Sequence, residues 1–225
     1  MDQKRIAEMK ENPKAPYYIV YEDSALLVVY KKREVFTIAT PDPKTYHHNL
    51  FYYLQAYSKA NHETVYLIHR LDFETSGLML FAKTPAIQNA LKTAFETHDV
   101  GRYYEAVVKE SLPVGKHYDV QQYLLEEGAN VHVSDPEHGK EAITHVEVKN
   151  PIQIGSALAI TIDTGRKNQI RIALHSLGLT LLGDKRYSAN EAKRMYLNAY
   201  RLTLPESIPV AQRVFSVEPL WLNND

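Results

Sequence analysis

Apolar residues along the chain follow two periods. Residues 18–21 and 25–30 are short apolar runs separated by the turn-prone Glu22-Asp23-Ser24, which predicts two strands. Leu50, Tyr53, Leu54 and Tyr57 fall at the helical spacing i, i+3, i+4, i+7 and predict an amphipathic helix. Residues 64–70 and 78–83 read as extended. Thr84 then caps a second helix, with Pro85 at its first position and Ile87, Ala90, Leu91, Ala94 and Phe95 as its buried stripe. Strands are expected over 103–108, 142–148, 157–162 and 197–204. Residues 126–140 are polar and contain Gly128, Asn130, Asp135-Pro136 and Gly139, so they read as turns or a hairpin tip. A third helix is expected to start near Asn168, where Ile170, Ala173, Leu174 and Leu177 form a stripe. The first dozen residues read as a tail or a loosely docked helix. With no repeat and no clear linker, one compact α/β or α+β domain is the simplest reading.

Composition narrows the function classes. Of 225 residues, 44% are hydrophobic and 24% charged, as in ordinary globular proteins. No apolar run approaches the length of a membrane-spanning helix, and residues 1–16 lack the apolar core of a secretory signal. Cysteine is absent, which excludes disulfides and thiol chemistry and fits a cytoplasmic setting. The ten histidines show no HExxH-like spacing, so no metal is expected. A net charge of −1 argues against a globally basic nucleic-acid binder but allows a local basic surface.

Two polar clusters carry the candidate chemistry. HRLDFETSGLMLFAK, residues 69–83, places His69, Arg70, Asp72 and Glu74 together before the turn Thr75-Ser76-Gly77 and an apolar run. It is either a polar turn between strands or a loop holding a carboxylate for chemistry. A serine-hydrolase reading lacks the strand–GxSxG–helix context. The second cluster, residues 163–187, sets Arg166, Lys167, Arg171, Lys185 and Arg186 against Asp184 over positions 165–186. A solvated turn is one reading of it. A phosphate-binding loop is the other, since helix N-termini add N–H donors and a favourable dipole to basic side chains. Arg171 lies close to the buried stripe of its helix, and an arginine there needs a carboxylate partner, for which Asp72 is a candidate. Asp184 reads as a turn residue or the partner of a loop arginine.

In these motifs the chain resembles the RluA-like pseudouridine synthases. HRLDFETSGLMLFAK is similar to their HRLDxxTSGLxxxAK motif, GRYYEAVV to their basic-x-Tyr-x-Ala strand, and GKEAITHVEV to their Gly-Lys-x-Ala-x-Thr strand. TGRKNQIRIALHSLGLTLLGDKRY resembles TGRxHQIRxHxxxxGxPIxGDxxY, and LNAYRLTL the closing His-Ala-x-x-Leu strand with Asn198 in place of histidine. The motifs occur in family order from about residue 18 to 222. The resemblance implies an α+β pseudouridine-synthase-like fold: a mixed, largely antiparallel central sheet flanked by helices and loops, with the active cleft across it. A tail over 1–17 and a single catalytic domain over 18–222 are expected, without an S4-like RNA-binding domain.

The resemblance also implies the activity. Such enzymes cut the N1–C1′ bond of a uridine in ribosomal or transfer RNA, rotate the base and rejoin it through C5, without cofactor or metal. Asp72 would be the catalytic carboxylate, Tyr104 the ring against the target base, and Arg171 the cation that keeps Asp72 ionised. Metal-free glycosidic cleavage needs a carboxylate near the anomeric carbon, as in glycosidases. Substrate contacts are expected from Arg70, Phe73, Thr75, Arg102, Arg166, Lys167, Lys185 and Arg186, and the enzyme is expected to act as a monomer. Phe73 stands where many relatives carry arginine; it either fills the gap left by the extruded base by stacking or packs inward beside Leu71. Asn168 and Ala173 replace histidines, and Lys31-Lys32-Arg33-Glu34 replaces Lys-Pro-x-Gly. Two other readings stay open. One is a binding module that kept the fold but lost turnover. The other is a carboxylate-dependent hydrolase, which needs a second carboxylate roughly 5–9 Å from the first.

Overall fold

The structure is a computed structural model that describes residues 15–189 and 192–218. Most of the expected tail, and the expected end of the domain at residue 222, lie outside these residues; Tyr17 already begins the first strand. The described residues fall into two compact units, 15–100 with 200–218, and the described part of 101–199.

In the first unit, β1 (Tyr17–Glu22) turns back into β2 (Leu26–Lys31). Asp23 makes that turn: its Oδ1 accepts from the N–H groups of Ala25 and Leu26, both at 2.7 Å. β2 pairs antiparallel with β4 (Ser76–Ala82), and the two-residue β3 (Tyr66–Leu67) pairs with the end of β4. Every residue of β2 and β4 is buried. Strands covered on both faces read as continuous apolar runs rather than alternations. Helix α1 (Leu50–Ala60) is capped by Asn49, whose side chain accepts from Tyr52 N–H. Helix α2 (Pro85–Glu96) is capped by Thr84, which accepts from Ile87 N–H, and it buries Ile87, Leu91 and Ala94. These join Val28, Tyr30, Leu78, Leu80 and Phe215 in one core.

The second unit is an antiparallel sheet in the order β5 (Gly101–Val108), β9 (Gly155–Ile162), β8 (Lys140–Ile152), β6 (His117–Glu127) and β7 (Asn130–Ser134). β5 and β9 alternate between buried and half-buried residues, as expected of a sheet with one covered face. Helix α3 (Gln169–Ser176) lies against β8 and β6, and its Ile172 packs on Leu124, Val131 and Ala142. β10 (Leu197–Thr203) carries the chain from the second unit back to the first, where it pairs antiparallel with β11 (Val214–Ser216).

Two expectations change. The stretch 126–140 does hold a hairpin tip, between Glu127 and Asn130, but the strand β6 that leads into it from His117 was not foreseen. Of residues 64–70, only Tyr66–Leu67 pairs as a strand.

Gly183 precedes the turn that carries Asp184. Its φ is +76°, and a Cβ there would lie 1.7 Å from the carbonyl oxygen of Arg194. Left-handed backbone alone costs a non-glycine residue about 1–2 kcal/mol, and the overlap adds to it. Gly183→Ala should therefore lower the urea midpoint of unfolding with little change in the slope.

Candidate functional site

In the first unit, Asp72 sits half-buried in the loop between β3 and β4, and two side chains fix that loop. The Thr37 hydroxyl donates to Leu71 C=O at 2.9 Å and accepts from Leu71 N–H at 3.3 Å, so one buried group satisfies both backbone atoms next to Asp72. Lys31, the last residue of β2, is 0% exposed. Its ammonium donates to the carbonyls of Val35 at 2.8 Å, Lys32 at 3.1 Å and Phe73 at 3.3 Å. Three acceptors match the three donors of an ammonium. Burial pulls the Lys31 pKa down to about 7, and the nearby charges of Asp72 and Glu74 oppose that pull. A buried cation thus ties the segment 32–35 to the loop and faces its carboxylates. Sequence reasoning missed Lys31. The available signal was a lysine continuing a fully apolar strand, LLVVYK.

The other residues of this loop divide by exposure. Arg70 is exposed and Thr75 is buried. Phe73 is half-buried, with its ring 4.4 Å from that of Phe36. His69 accepts from Leu80 N–H through Nε2 at 3.0 Å and stacks on Phe95 at 4.9 Å, which makes it a support for β4.

In the second unit, Arg102, Tyr104 and Ala106 share the buried face of β5. Arg102 is only 7% exposed and donates to the carbonyl of Asp163. It lies on the same covered face as Tyr104, because β5 alternates and position 102 falls on that side. The turn after β9 is clamped by Gln169. Its Oε1 accepts from the Thr164 hydroxyl at 2.8 Å and Arg166 N–H at 2.9 Å; its Nε2 donates to Ile143 C=O at 2.8 Å and to the Thr144 hydroxyl at 3.0 Å. This clamp shapes the entry to α3. Asn168, at the N-cap, takes the left-handed φ of 55° that asparagine tolerates, and its Oδ1 accepts from Arg171 Nη1 at 3.1 Å.

Arg171 is 2% exposed and forms a two-pronged pair with the fully buried Asp184, Nε to Oδ2 at 2.9 Å and Nη2 to Oδ1 at 2.8 Å. Asp184 Oδ1 also accepts from the N–H groups of Arg186 and Tyr187 at 2.9 and 3.1 Å. Burial would raise the Asp184 carboxyl, but the Arg171 hydrogen bonds and charge, with these two N–H groups, hold it below the usual carboxylate range. The sequence made Asp184 a turn residue or a partner of a loop arginine. It is both a turn and a partner, and the arginine is the helical Arg171.

The remaining basic residues contact the β6–β7 hairpin and β8. Lys167 binds Glu126 at 2.6 Å and Gly128 C=O at 3.0 Å; Arg186 binds Ala129 C=O at 2.9 Å and Asn130 Oδ1 at 2.7 Å; Arg166 Nε binds Glu141 C=O at 2.9 Å. Lys185 is exposed. Among the described residues, no group of three or more His, Asp or Glu side chains could hold a metal ion, and no helix is long and apolar enough to cross a membrane.

Residues 25–176 match the family described as RNA pseudouridylate synthase. The ribosomal large subunit pseudouridine synthase D of Vibrio cholerae is 32% identical over 182 residues, covering 76% of this chain and 53% of that protein. The protein of the same name from Zymomonas mobilis is 31% identical over 186 residues, covering 78% of this chain and 57% of its own length. The chain thus spans about half the length of the curated relatives it matches. Among solved structures, human RNA pseudouridylate synthase domain containing 4 superposes with a TM-score of 0.70 at 21% identity, covering 90% of this chain and 89% of that one. Domain containing 1 gives 0.69 at 21% identity, covering 92% and 86%. The fold is accordingly the α+β fold of pseudouridylate synthase domains.

Two results are expected from this geometry. Folded Lys31 loses its proton near pH 7, and the unfolded chain near its ordinary 10.5. Between these values the unfolded state binds more protons, so the cost of burying the ammonium fades and stability rises with pH. Lys31→Met should remove that rise, as measured by denaturant titrations from pH 7 to 10. Asp184→Asn should cost roughly 3–5 kcal/mol, because it leaves the buried Arg171 charge without its carboxylate; urea unfolding reads this directly.

Proposed function

Since the chain belongs to the RNA pseudouridylate synthase family, we propose that it isomerises a specific uridine in RNA, with Asp72 as the catalytic carboxylate. The observation that carries this reading is the family match over residues 25–176, which spans Asp72, Tyr104 and Arg171. The names of the bacterial relatives favour large-subunit ribosomal RNA over transfer RNA as the substrate.

In the proposed reaction the N1–C1′ bond breaks, the uracil turns, and a C5–C1′ bond forms. The C5 proton leaves to solvent and N1 gains one, so atoms balance without an external reactant. Asp72 acts at the electron-deficient anomeric carbon, as carboxylates do in glycoside cleavage. Its loop is suited to this, since Thr37 and Lys31 hold the backbone on either side of it. Lys31, while protonated, and the Asp72 carboxylate attract each other. Tyr104 is assigned to the target base, while Arg171, bound to Asp184 and Asn168, is assigned to holding the start of α3 and the 184–187 turn. The uridine must leave its stack to react, which costs a few kcal/mol unless it lies in a loop.

Asp72→Asn should reduce tritium release from 5-³H-uridine ribosomal RNA to below a few per cent of wild type while RNA binding is largely kept. Substantial turnover by this variant would sink the assignment. Release of free uracil in place of pseudouridine would point to a hydrolase.

A further inference from the structure

The first unit displays a group of rings that the proposed chemistry leaves unused. Tyr46, His47, His48, Tyr52 and Tyr53 fall within eight residues around the N-terminus of α1. Tyr46 is 51% exposed and Tyr52 40% exposed, and both histidines are exposed. Single exposed tyrosines are ordinary. Four of these rings, however, hold one another, with Tyr46 exposed beside them. His47 meets Tyr52 edge to face with centroids 4.8 Å apart, Tyr52 meets Tyr53 at 6.0 Å, and His48 Nδ1 lies 3.2 Å from the Tyr53 hydroxyl. Rings braced in this way lose little further freedom when something lies against them.

Their place in the fold joins them to the Asp72 loop. Segment 35–37 has α1 on one side and that loop on the other. On the helix side, Phe36 bridges Asn49, and the carbonyls of Phe36 and Thr37 accept from Leu50 and Phe51 N–H at 2.8 and 3.0 Å. On the loop side, Val35 N–H donates to Phe73 C=O at 3.2 Å, Thr37 holds Leu71, and the rings of Phe36 and Phe73 lie 4.4 Å apart. The exposed rings are thus one short segment away from the residues flanking Asp72.

Charge favours an anionic strand here. Between positions 35 and 60 the chain has a single carboxylate, Asp42, against Lys44, Lys59 and two histidines. Asp42 itself is engaged by Lys44 N–H at 3.0 Å as the cap of a short turn. A phosphate backbone would meet little repulsion on this surface, and exposed π-faces accept any base.

We propose that the Tyr46–Tyr53 ring cluster is a stacking surface for unpaired bases adjacent to the target uridine, so that single-stranded flanks are part of what this protein recognises. The proposal rests on the reading that the substrate is RNA.

The test uses the full chain and an RNA oligonucleotide with the target uridine in a single-stranded segment and 2-aminopurine two nucleotides away. Tyr52→Leu and Tyr46→Leu should weaken binding about tenfold or more, as loss of a stacked base does. They should also reduce the fluorescence quenching on binding, while kcat at saturating RNA stays near wild type. The salt slope should not change, because no phosphate contact is lost. Tyr52→Phe should restore both binding and quenching. Abasic flanking nucleotides should bind wild type as weakly as normal RNA binds the leucine variants. Unchanged affinity and quenching in the leucine variants, or no cost from abasic flanks, would overturn the stacking surface while leaving the role of Asp72 intact. Absence of tritium release from wild type would instead overturn the isomerase reading, and the fluorescence titration would still decide the stacking.

Discussion

A charge removed from water must find its partners inside the protein, and both units are organised around a buried cation that obeys this rule. Lys31 in the first unit and Arg171 in the second have almost no exposed surface. Lys31 is met by three backbone carbonyls, Arg171 by a carboxylate and an amide oxygen. Stripping the partner from a buried charge costs roughly 3–5 kcal/mol, against a total stability of about 5–15 kcal/mol for a native protein. The Arg171 arrangement cannot loosen without a large penalty, and neither can that of Lys31 while it keeps its proton. Each also fixes backbone that the proposed chemistry needs: the loop around Asp72 in one case, the junction of α3 with the 184–187 turn in the other.

The helices and inner strands were legible because their patterns have a single physical cause. Ile87, Leu91 and Ala94 recur at helical spacing because one face is buried, and Thr84-Pro85 marks where the helix begins. The apolar runs of β2 and β4 are continuous because both faces are covered. β6 escaped notice because HYDVQQYLLEE is largely polar, and its identity as a strand comes from pairing with β7 and β8 rather than from its own residues. Within the candidate site, the polar motifs identified the residue types but not who binds whom. Arg171 called for a carboxylate, yet its partner Asp184 lies thirteen positions on and reads as an ordinary turn residue. Lys31 gave almost no signal, since a strand-ending lysine usually points to water.

The basic residues illustrate a related limit. Counting Arg166, Lys167 and Arg186 suggests a phosphate rim, but each spends at least one donor on the chain itself, two of them fastening the tip of the β6–β7 hairpin. Such contacts are exposed and individually weak, so a phosphate could compete for them. A protein of net charge −1 nonetheless has little positive field to spare. For the RNA substrate proposed above, contacts that do not depend on charge, such as rings against bases, would therefore carry more weight than in a strongly basic RNA-binding protein.

Helix α1 contains no carboxylate in its eleven residues and has one lysine in its last turn. It can form no internal ion pairs, and a helix of this length is marginal alone in water. Its order comes from the Asn49 cap and from burying Leu50, Leu54 and Ser58. The spacing of Tyr52, Tyr53 and the two histidines is thus imposed by docking and arises only once the underlying sheet exists. A peptide copied from residues 43–60 would be mostly unfolded and would not present these rings as a set.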